Sequence, residues 1–527
     1  MIYKGPALEV PDVALTAFVL EHAAERGEKP ALIDGLTGRQ LTFRALTDGV
    51  NRVATALKRR GLKKGDVFAI FSPNLLEYPI AFHAAASLGG VITTINSLYT
   101  AREVRDQLRD SGARFLLTVP AFMDRAREAI KDLPIEAVFV FGEAAGATPF
   151  ADLLAVTPEP ISVEINPSED VVALPYSSGT TGVAKGVMLT HRNLVANVLQ
   201  AERCIHLHEG ERVLGVMPFY HIYGMTVVMN IALHKGATVV TMPKFELEPF
   251  LRVLQDYRVE RAYVAPPIVV ALAKHPIVDK YDLSSIALVF SGAAPLDENL
   301  ANACAQRLNC KVNQGYGMTE ASPATHLVSD DVPWTKVGSI GQVVAGTECK
   351  VVDVVSGDEL GPGQDGEILI RGPQVMKGYL NNPTATAQIL DNDGWLHTGD
   401  VGHADPDGDF YVVDRVKELI KYKAYQVPPA ELEAILLTHP AVADAAVIPS
   451  PDVEAGEVPK AFVVLKSPVE PEELMRFVAD RVAPHKKVRL VETIEEIPKS
   501  ASGKILRRKL VERERARMAA PATPSPG

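Results

Sequence analysis

The sequence has few cysteines, and they show no pairing pattern. No two of the four form a C-x-x-C pair, so neither a disulfide scaffold nor a paired-cysteine zinc site is expected. The first residues, Met1 to Ala7, lack the apolar core of a signal peptide. We therefore expect a cytoplasmic protein whose cysteines are free thiols: Cys204, Cys304, Cys310 and Cys349.

Basic residues are also fewer than acidic ones. The 54 Lys and Arg against 65 Asp and Glu leave a formal charge of −11, which argues against a general binder of nucleic acid or of anionic membranes. Two segments of membrane-spanning length lack charge, Tyr78 to Ala101 and Val213 to Leu233, but both are interrupted by glycine or proline. We expect them to be buried helix-turn-strand units, and the protein to be a monomer or homodimer without a membrane span.

What is present indicates an α/β protein of more than one domain. A chain of 527 residues exceeds the usual size of one hydrophobic core. Short β-type runs alternate with helical patterns from Val67 to Gly142 and again from Val171 to about Val312, which predicts two doubly wound subdomains with largely parallel sheets. A small β unit is expected after Trp334. We place the large N-terminal domain at 1–413, a smaller mobile α+β domain at 414–518, and a disordered tail at 519–527.

One loop has the composition of a phosphate cradle. It runs from Tyr176 to Gly186 with the sequence YSSGTTGVAKG, between two short β-type runs and at the start of the second α/β series. Its glycines let backbone N–H groups turn toward one anion, its hydroxyls add donors, and Lys185 adds a cation. The G-x-x-x-x-G-K-[ST] pattern of the common P-loop is absent here. A flexible surface loop is the alternative for this composition alone.

Four further motifs follow in order: QGYGMTE at 314–320, GWLHTGD at 394–400, DRVKELIKYKAYQ at 414–426 and PKSASGK at 498–504. With the loop, they closely resemble the adenylate-forming superfamily, which includes acyl-CoA synthetases, peptide-synthetase adenylation domains and beetle luciferases. MPFYHIYG at 217–224 and SGAAPL at 291–296 are similar to the 4-coumarate–CoA ligase branch. The resemblance covers nearly the whole chain.

That resemblance implies a two-step reaction. A carboxylate attacks the α-phosphate of Mg·ATP to give acyl-AMP and pyrophosphate, and the thiol of coenzyme A then displaces AMP. The expected acid is of the 4-coumarate or cinnamate type, with a medium-chain fatty acid as the alternative. Three other activities are weighed against this one: loading of a carrier protein, a luciferase-like oxygenation, and non-catalytic binding of an acyl-adenylate.

The resemblance also assigns the nucleotide and metal positions. A reaction between two anions needs preorganised donors and cations, which these residue types supply. Glu320 and Thr180 match the Mg²⁺ positions, since hard carboxylate and hydroxyl oxygens suit that ion. The residues that match ATP-contacting positions are Ser177, Ser178, Gly179, Thr180, Thr181, Gly182, Lys185, Gln314, Gly315, Tyr316, Gly317, Met318, Thr319, Asp400, Arg415 and Lys417. Among them, Tyr316 offers a flat face for adenine, and the Asp400 carboxylate with Arg415 beside it suits the ribose hydroxyls.

The catalytic and CoA-binding positions lie mostly in the small domain. Lys504 matches the lysine that bridges the substrate carboxylate and the α-phosphate, and in the family this domain swings about the residue that matches Asp414. Lys421, Gln426 and His221 complete the catalytic set by resemblance, with His221 as a gate of the acyl pocket. Lys423 and Ala424 match the CoA-contacting pair, where most relatives have Gly in place of Ala424.

The acyl pocket is carried over from the same resemblance. Its lining is mostly apolar, which suits an aryl or alkyl group, and Gly315 would let a flat ring lie against the backbone. The matching positions are His221, Tyr223, Val227, Lys244, Phe290, Ala293, Gly315, Pro323, Ala324 and Leu327.

Read without the motifs, several of these residues have ordinary roles. Glu320 fits the first turn of a helix, Asp400 a surface turn, and Tyr316 a hydrophobic core. Lys504 lies in a basic run of the kind that is usually solvated, and His221 fits a structural histidine.

Overall fold

The structure is a computed structural model that describes residues 1–177, 184–294, 296–331, 336, 338–415, 418–422, 425–452, 455–482, 484–499, 503 and 505–519, with the backbone alone at 425, 426 and 519. Sixteen α-helices occur in this part of the chain: α1 (Leu15–Val19), α2 (Ala23–Arg26), α3 (Phe43–Arg59), α4 (Tyr78–Ser87), α5 (Ala101–Ser111), α6 (Met123–Ile130), α7 (Phe150–Leu154), α8 (His191–Glu202), α9 (Ile231–Lys235), α10 (Leu247–Asp256), α11 (Pro266–Lys274), α12 (Glu298–Leu308), α13 (Pro383–Ala387), α14 (Pro429–Leu437), α15 (Pro471–Ala479) and α16 (Arg507–Ala519). A π-helix spans Tyr223–Asn230, and 3-10 helices span Pro120–Phe122, Pro276–Lys280, Thr319–Ala321 and Pro484–Lys486.

The strands in chain order are β1 (Ile2–Lys4), β2 (Pro30–Asp34), β3 (Gln40–Thr42), β4 (Val67–Phe71), β5 (Val91–Thr94), β6 (Ala113–Thr118), β7 (Ala137–Val140), β8 (Thr148–Pro149), β9 (Val171–Ala173), β10 (Tyr176–Ser177), β11 (Lys185–Thr190), β12 (Arg212–Gly215), β13 (Thr238–Thr241), β14 (Arg261–Val264), β15 (Leu288–Ser291), β16 (Lys311–Gly317), β17 (Ala324–Leu327), β18 (Gln342–Val343), β19 (Glu348–Val352), β20 (Gly366–Arg371), β21 (Gly378–Tyr379), β22 (Leu396–Ala404), β23 (Phe410–Arg415), β24 (Ile420–Tyr422), β25 (Tyr425–Val427), β26 (Val442–Asp452), β27 (Gly456–Leu465) and β28 (Leu490–Thr493).

The chain divides into two compact units. The N-terminal unit comprises Ile2–Cys349 and Ile370–His397, and the C-terminal unit comprises Met1, Lys350–Leu369 and the described residues from Thr398 onward. The domain boundary predicted at Asp414 stays a prediction, and residues 520–527 of the predicted tail lie outside the described residues. Among the helices described, none has the length and apolar character needed to cross a membrane.

The first sheet of the N-terminal unit contains the loop that was predicted to bind phosphate. Its strand order is β10-β11-β9-β5-β4-β6-β7-β8, with β21 paired to β11. The six strands β4–β9 are parallel, whereas β10, β11 and β21 are antiparallel to their neighbours. The expectation that this loop opens the second α/β series was therefore wrong. The order of the segments along the chain suggested that series, but β9 pairs with β5 through Ile92 and Ala173. An apolar run predicts a strand and does not predict which distant strand it pairs with.

The second sheet has the order β18-β17-β16-β15-β14-β12-β13-β2-β3. Its six central strands are parallel, and β3, β17 and β18 add antiparallel edges. Both sheets carry helices on both faces. On β4, Phe68 and Ile70 enter a core with α4 and α8, while Ala69 and Phe71 enter a separate core with α5 and α6. The predicted doubly wound α/β architecture is confirmed.

Helix α5 shows how local signals set an element. Thr100 accepts from the backbone N–H of Glu103, and the Glu103 side chain accepts from the Thr100 N–H, so both ends of a capping box are present. Gly112 ends the helix in the left-handed region at φ 65°. Both ends of α5 are therefore set by residues that lie next to it in the sequence.

The C-terminal unit contains an α+β layer of its own. Strands β25-β24-β27-β26, with β28 beside β27, form one sheet. Because alternate residues of a strand point to opposite faces, Val447 packs with α14 and α15, whereas Ile448 packs with α16. Under α16 the Lys460 ammonium is buried and pairs with Glu514 and, at 2.7 Å, with Glu492.

Acidification should destabilise the protein through buried histidines. His83 on α4 is fully buried, and burial lowers its pKa from 6.5 to about 3, so it is neutral in the folded protein. Below pH 6.5 the unfolded chain binds a proton that the folded His83 does not, and the free energy of unfolding falls by about 1.4 kcal/mol per pH unit. We expect denaturant titrations at pH 7.5, 6 and 5 to show a steeper fall for the wild type than for His83→Gln, by about the one-proton slope; parallel profiles for the two proteins would contradict the prediction.

Candidate active site

The loop predicted to hold phosphate connects two paired strands. Tyr176 pairs with Gly186 and Ser177 with Lys185 across β10 and β11. A Cβ on Gly186 would lie 3.1 Å from the Tyr176 ring, so glycine is what lets the two strands close here. The predicted residues Ser178, Gly179, Thr180, Thr181 and Gly182 lie outside the described part of the chain. The structure therefore fixes the two ends of the loop, one hydroxyl and one lysine, directly opposite each other.

Glu320 lies beside these loop ends. It follows β16 on the short helix Thr319–Ala321 and is 6% exposed. Its Oε1 atom accepts a hydrogen bond of 2.8 Å from the Ser177 hydroxyl and one of 2.7 Å from the Tyr379 hydroxyl. Its backbone carbonyl accepts from the Met376 N–H at 2.8 Å. The structure thus brings together the predicted metal position, Glu320, and the first predicted ATP-contacting residue of the loop, Ser177.

Tyr379 is a member of this cluster that the sequence reasoning missed. It lies on β21, opposite Val187 of β11, and is 6% exposed. Its ring centroid is 5.0 Å from the Lys185 ammonium, within the range of a cation–π contact. Burial, and then the charge of Glu320, raise the pKa of its hydroxyl, so Tyr379 stays a donor at neutral pH. No spacing pattern connects it to Glu320, which precedes it by 59 residues.

The chemistry of this cluster fits Mg²⁺ that arrives with a nucleotide. One carboxylate and two hydroxyls are hard oxygen groups, and Mg²⁺ usually binds through one or two carboxylates together with phosphate oxygens and water. Over the residues that the structure describes, no group of three or more His, Cys, Asp or Glu side chains could form a complete metal cage. Mg²⁺ at this place would have the Glu320 carboxylate as a protein ligand and would need further oxygen ligands.

The predicted ATP-contacting segment, 314–319, includes the end of β16 and leads to Glu320. Gln314, Tyr316, Met318 and Thr319 are partly buried, and the Tyr316 ring lies 5.9 Å from the ring of buried His326. Gly317 leaves no room for a side chain, because a Cβ would lie 2.1 Å from the Pro323 carbonyl oxygen. The segment lies at the carboxyl end of a parallel strand, where ligands of open α/β sheets bind. The role of Tyr316 as an adenine platform stays a prediction.

Half of the ten predicted acyl-pocket residues belong to the main apolar core of the N-terminal unit. Gly315 is in close contact with two of them: a Cβ there would lie 2.6 Å from Leu327 Cδ2 and 2.8 Å from Phe290 Cζ. The Tyr223 hydroxyl donates to the Phe290 carbonyl at 3.2 Å. Tyr223 and Val227 lie on the π-helix, a feature often found at functional sites. The predicted residues within this cluster are Tyr223, Val227, Phe290, Ala324 and Leu327.

The other predicted pocket residues lie differently. Pro323 is buried beside Ala324, and His221 is half-buried with its Nδ1 accepting from the Tyr223 N–H at 3.3 Å. Ala293 is exposed in the left-handed region at φ 71°. Lys244 follows β13, is 72% exposed and pairs with Glu246. Its predicted place near the acyl group gains no support from these contacts.

In the C-terminal unit, the predicted ribose-binding pair is formed. Asp400 and Arg415 are opposite each other on β22 and β23, and Arg415 Nε lies 2.9 Å from Asp400 Oδ1. Asp400 is 3% exposed, so its carboxylate depends on such a partner. The surface-turn interpretation of Asp400 is therefore wrong for this fold. Whether the pair binds ribose stays a prediction, and Lys417 lies outside the described residues.

The predicted hinge, catalytic and CoA-contacting positions of this unit are only partly described. Asp414 is buried and accepts from the N–H groups of Arg415 at 2.7 Å and Ala430 at 2.9 Å, and burial raises its pKa to about 6. Lys421 on β24 is exposed and is paired in register with Gln426 on β25. The remaining predicted residues, Lys423, Ala424 and Lys504, lie outside the described part of the chain.

Two family profiles match the sequence. Residues 19–380 match the AMP-binding enzyme family, and residues 431–504 match the AMP-binding enzyme C-terminal domain. The first match covers more than half of the chain and includes the Ser177, Glu320 and Tyr379 cluster.

Individual relatives agree with the profiles. The chain is 43% identical to 4-coumarate–CoA ligase 2 of Oryza sativa subsp. japonica, over 98% of this chain and 95% of the relative. Among solved structures, it is similar to the anthranilate CoA ligase AuaEII in complex with anthranoyl-AMP, with a TM-score of 0.90, 27% identity and coverage of 97% and 99% of the two chains. ATP-bound MatB from Rhodopseudomonas palustris has a TM-score of 0.88 at 26% identity, with coverage of 95% and 99%.

Proposed function

Because this chain belongs to the AMP-binding enzyme family, we propose that it activates an aryl carboxylic acid as acyl-AMP and transfers the acyl group to coenzyme A. The family and the enzyme class predicted from the sequence, an AMP-forming acid–CoA ligase, are confirmed by the profiles and by relatives that match over nearly full length. The acid, the metal and the roles of individual residues are proposals.

The observation that carries the proposal is the cluster of Glu320, Ser177 and Lys185 at the ends of the glycine-rich loop. Attack of a carboxylate on a polyphosphate concentrates negative charge, and catalysis requires donors and cations that are already in place. Lys185 lies at the end of that loop, and two hydroxyls hold the Glu320 carboxylate. Mg²⁺ bound with ATP would neutralise part of the charge of the phosphates, and Glu320 would bind the Mg²⁺ ion.

The proposed substrate class rests on the apolar cluster around Phe290. Its side chains are aromatic or aliphatic, and an apolar lining selects for an aryl or alkyl group without a charged tail. The relatives named for 4-coumarate and anthranilate act on aryl acids, which favours the aryl class over a medium-chain alkyl acid. A carrier-protein-loading enzyme would share the first step and differ only in the acceptor.

For the second step, we infer a small domain at 414–518 that turns about Asp414, as the resemblance implies. The carboxylate of Asp414 holds the N–H of Ala430 at the start of α14, so this residue joins a strand end to a helix start within the unit. Lys423 and Ala424 would then contact coenzyme A. In the first step Lys504 would stabilise the charge that develops at the α-phosphate.

The acid is identified by exchange of labelled pyrophosphate into ATP. We expect 4-coumarate and cinnamate to support exchange at least about 10-fold faster than octanoate, because the relatives named for 4-coumarate and anthranilate point to an aryl acid. Benzoate tests whether the propenoate spacer matters. Fastest exchange with octanoate would replace the aryl proposal with the medium-chain one, and absence of exchange with all four acids would refute acid activation of these classes.

Replacing Lys504 should impair the first step selectively. We expect Lys504→Ala to lower the rate of acyl-AMP formation by roughly 10²–10⁴, as for loss of one preorganised electrostatic partner. Hydrolysis of synthetic acyl-AMP or its conversion to the thioester should change far less. Lys509→Ala, an exposed lysine of the same basic run, serves as the matched control. Pyrophosphate release at the wild-type rate would remove Lys504 from the mechanism.

The Ala424 position can be tested by restoring the residue that most relatives have. The added methyl limits how closely backbone and pantetheine approach, and it strains the chain if the position needs positive φ. We expect Ala424→Gly to accelerate thioester formation by about 2- to 10-fold while pyrophosphate exchange stays constant. Unchanged consumption of coenzyme A would show that the methyl is harmless.

A further inference from the structure

Tyr379 is the residue whose contacts go beyond the assigned site. It belongs to none of the sequence motifs, yet it contacts two side chains that the proposed function places at the phosphates. Its hydroxyl donates to Glu320 Oε1 at 2.7 Å, and its ring face lies 5.0 Å from the Lys185 ammonium. One side chain therefore holds an anion at its edge and a cation over its face.

The backbone makes this arrangement rigid. Tyr379 pairs with Val187 in β21 and β11, only two residues after Lys185. The Tyr379 N–H donates to the Thr386 hydroxyl at 2.9 Å, and the Leu380 N–H donates to the Gly186 carbonyl at 2.8 Å. A ring held at its backbone and 94% buried has little rotational freedom, so its hydroxyl and its face keep a fixed separation.

The hydrogen bonds also select one oxygen of Glu320. Both Ser177 and Tyr379 donate to Oε1. Two donors on the same oxygen restrict the rotation of the carboxylate. The Oε2 atom is then the oxygen that can bind a cation. Because bonds to charged groups are stronger than neutral ones, the loss of either donor should loosen that orientation measurably.

We propose that Tyr379 is a positioning residue for adenylation, which fixes the Glu320 carboxylate and the Lys185 ammonium at the spacing that Mg·ATP requires. This inference rests on the proposed function, because it takes Glu320 and Lys185 as the groups that meet Mg²⁺ and phosphate. Tyr379 itself does not contact the reacting atoms in this proposal.

Two substitutions separate the two contacts. Tyr379→Phe removes the hydroxyl and keeps the ring beneath Lys185. We expect it to slow pyrophosphate exchange by about 10-fold and to raise the Mg²⁺ concentration for half-maximal exchange several-fold, as for loss of one hydrogen bond to a charged group. Tyr379→Leu also removes the ring, and a further loss of about 2- to 5-fold should follow.

Controls distinguish positioning from folding. Tyr78→Phe also removes a buried tyrosine hydroxyl, one without a hydrogen-bond partner in the described structure, and should leave exchange and its Mg²⁺ dependence unchanged. Ser177→Ala removes the other donor to Oε1 and should shift the Mg²⁺ dependence in the same direction as Tyr379→Phe. The melting temperature of Tyr379→Phe should stay close to that of the wild type.

Calorimetric binding of ATP, with Mg²⁺ and with EDTA, provides a readout that needs no acid. We expect Mg²⁺ to strengthen ATP binding less in Tyr379→Phe than in the wild type. Equal Mg²⁺ dependence in the two proteins would overturn the inference. If the wild type bound Mg·ATP but exchanged no pyrophosphate with any acid, the proposed function would fail, whereas the Mg²⁺ dependence of ATP binding would still test the role of Tyr379. Absence of ATP binding to the wild type would overturn both the proposed function and this inference.

Discussion

The candidate site depends on one carboxylate that joins two sheets. Glu320 follows β16 of the second sheet, and its two hydroxyl donors, Ser177 and Tyr379, lie on β10 and β21 of the first. Each sheet has its own core on its outer face, and both contribute to the core between them. A buried carboxylate must find donors, so the requirement to satisfy Glu320 fixes how the carboxyl end of one sheet meets the edge of the other.

The backbone around this carboxylate is arranged to permit that meeting. A side chain at Gly317 would clash with the Pro323 carbonyl, and one at Gly186 would press against the Tyr176 ring. Both glycines lie within a few residues of groups that the site needs. The short helix Thr319–Ala321 can therefore approach the paired strands closely enough for the Ser177 and Tyr379 hydroxyls to bond to Glu320. Lys185 is held near them by its contact with the Tyr379 ring.

The sequence predicted best what is encoded locally. Helix α5 follows from its own cap residues and periodicity. The motif order identified the family and led to Glu320 and Asp400. What it could not predict was pairing between distant segments: β9 joins the first sheet through Ile92, and Tyr379 meets Glu320 across 59 residues. These contacts depend on how distant segments pack in the folded protein, and no local spacing of residues in the sequence predicts them.

The C-terminal unit contains the PKSASGK loop at 498–504, of which the structure describes the base. Its base is closed by the bridge between Lys499 and Ile505 and by the bond from the Leu506 N–H to the Pro498 carbonyl. The next residue, Arg507, pairs with Glu418 and, at 2.6 Å, with Glu433.

Burial raises the pKa of Glu433 to about 7, against the opposing charge of Arg507, so this carboxylate depends on its partner to remain ionised near neutral pH. Buried charge pairs add little net stability compared with apolar packing, but breaking one is costly. The pair therefore fixes position more than it adds stability, because it holds Arg507, at the end of the loop, against Glu433 of α14. Asp414 lies near the start of the same helix, since it accepts a hydrogen bond from the N–H of Ala430.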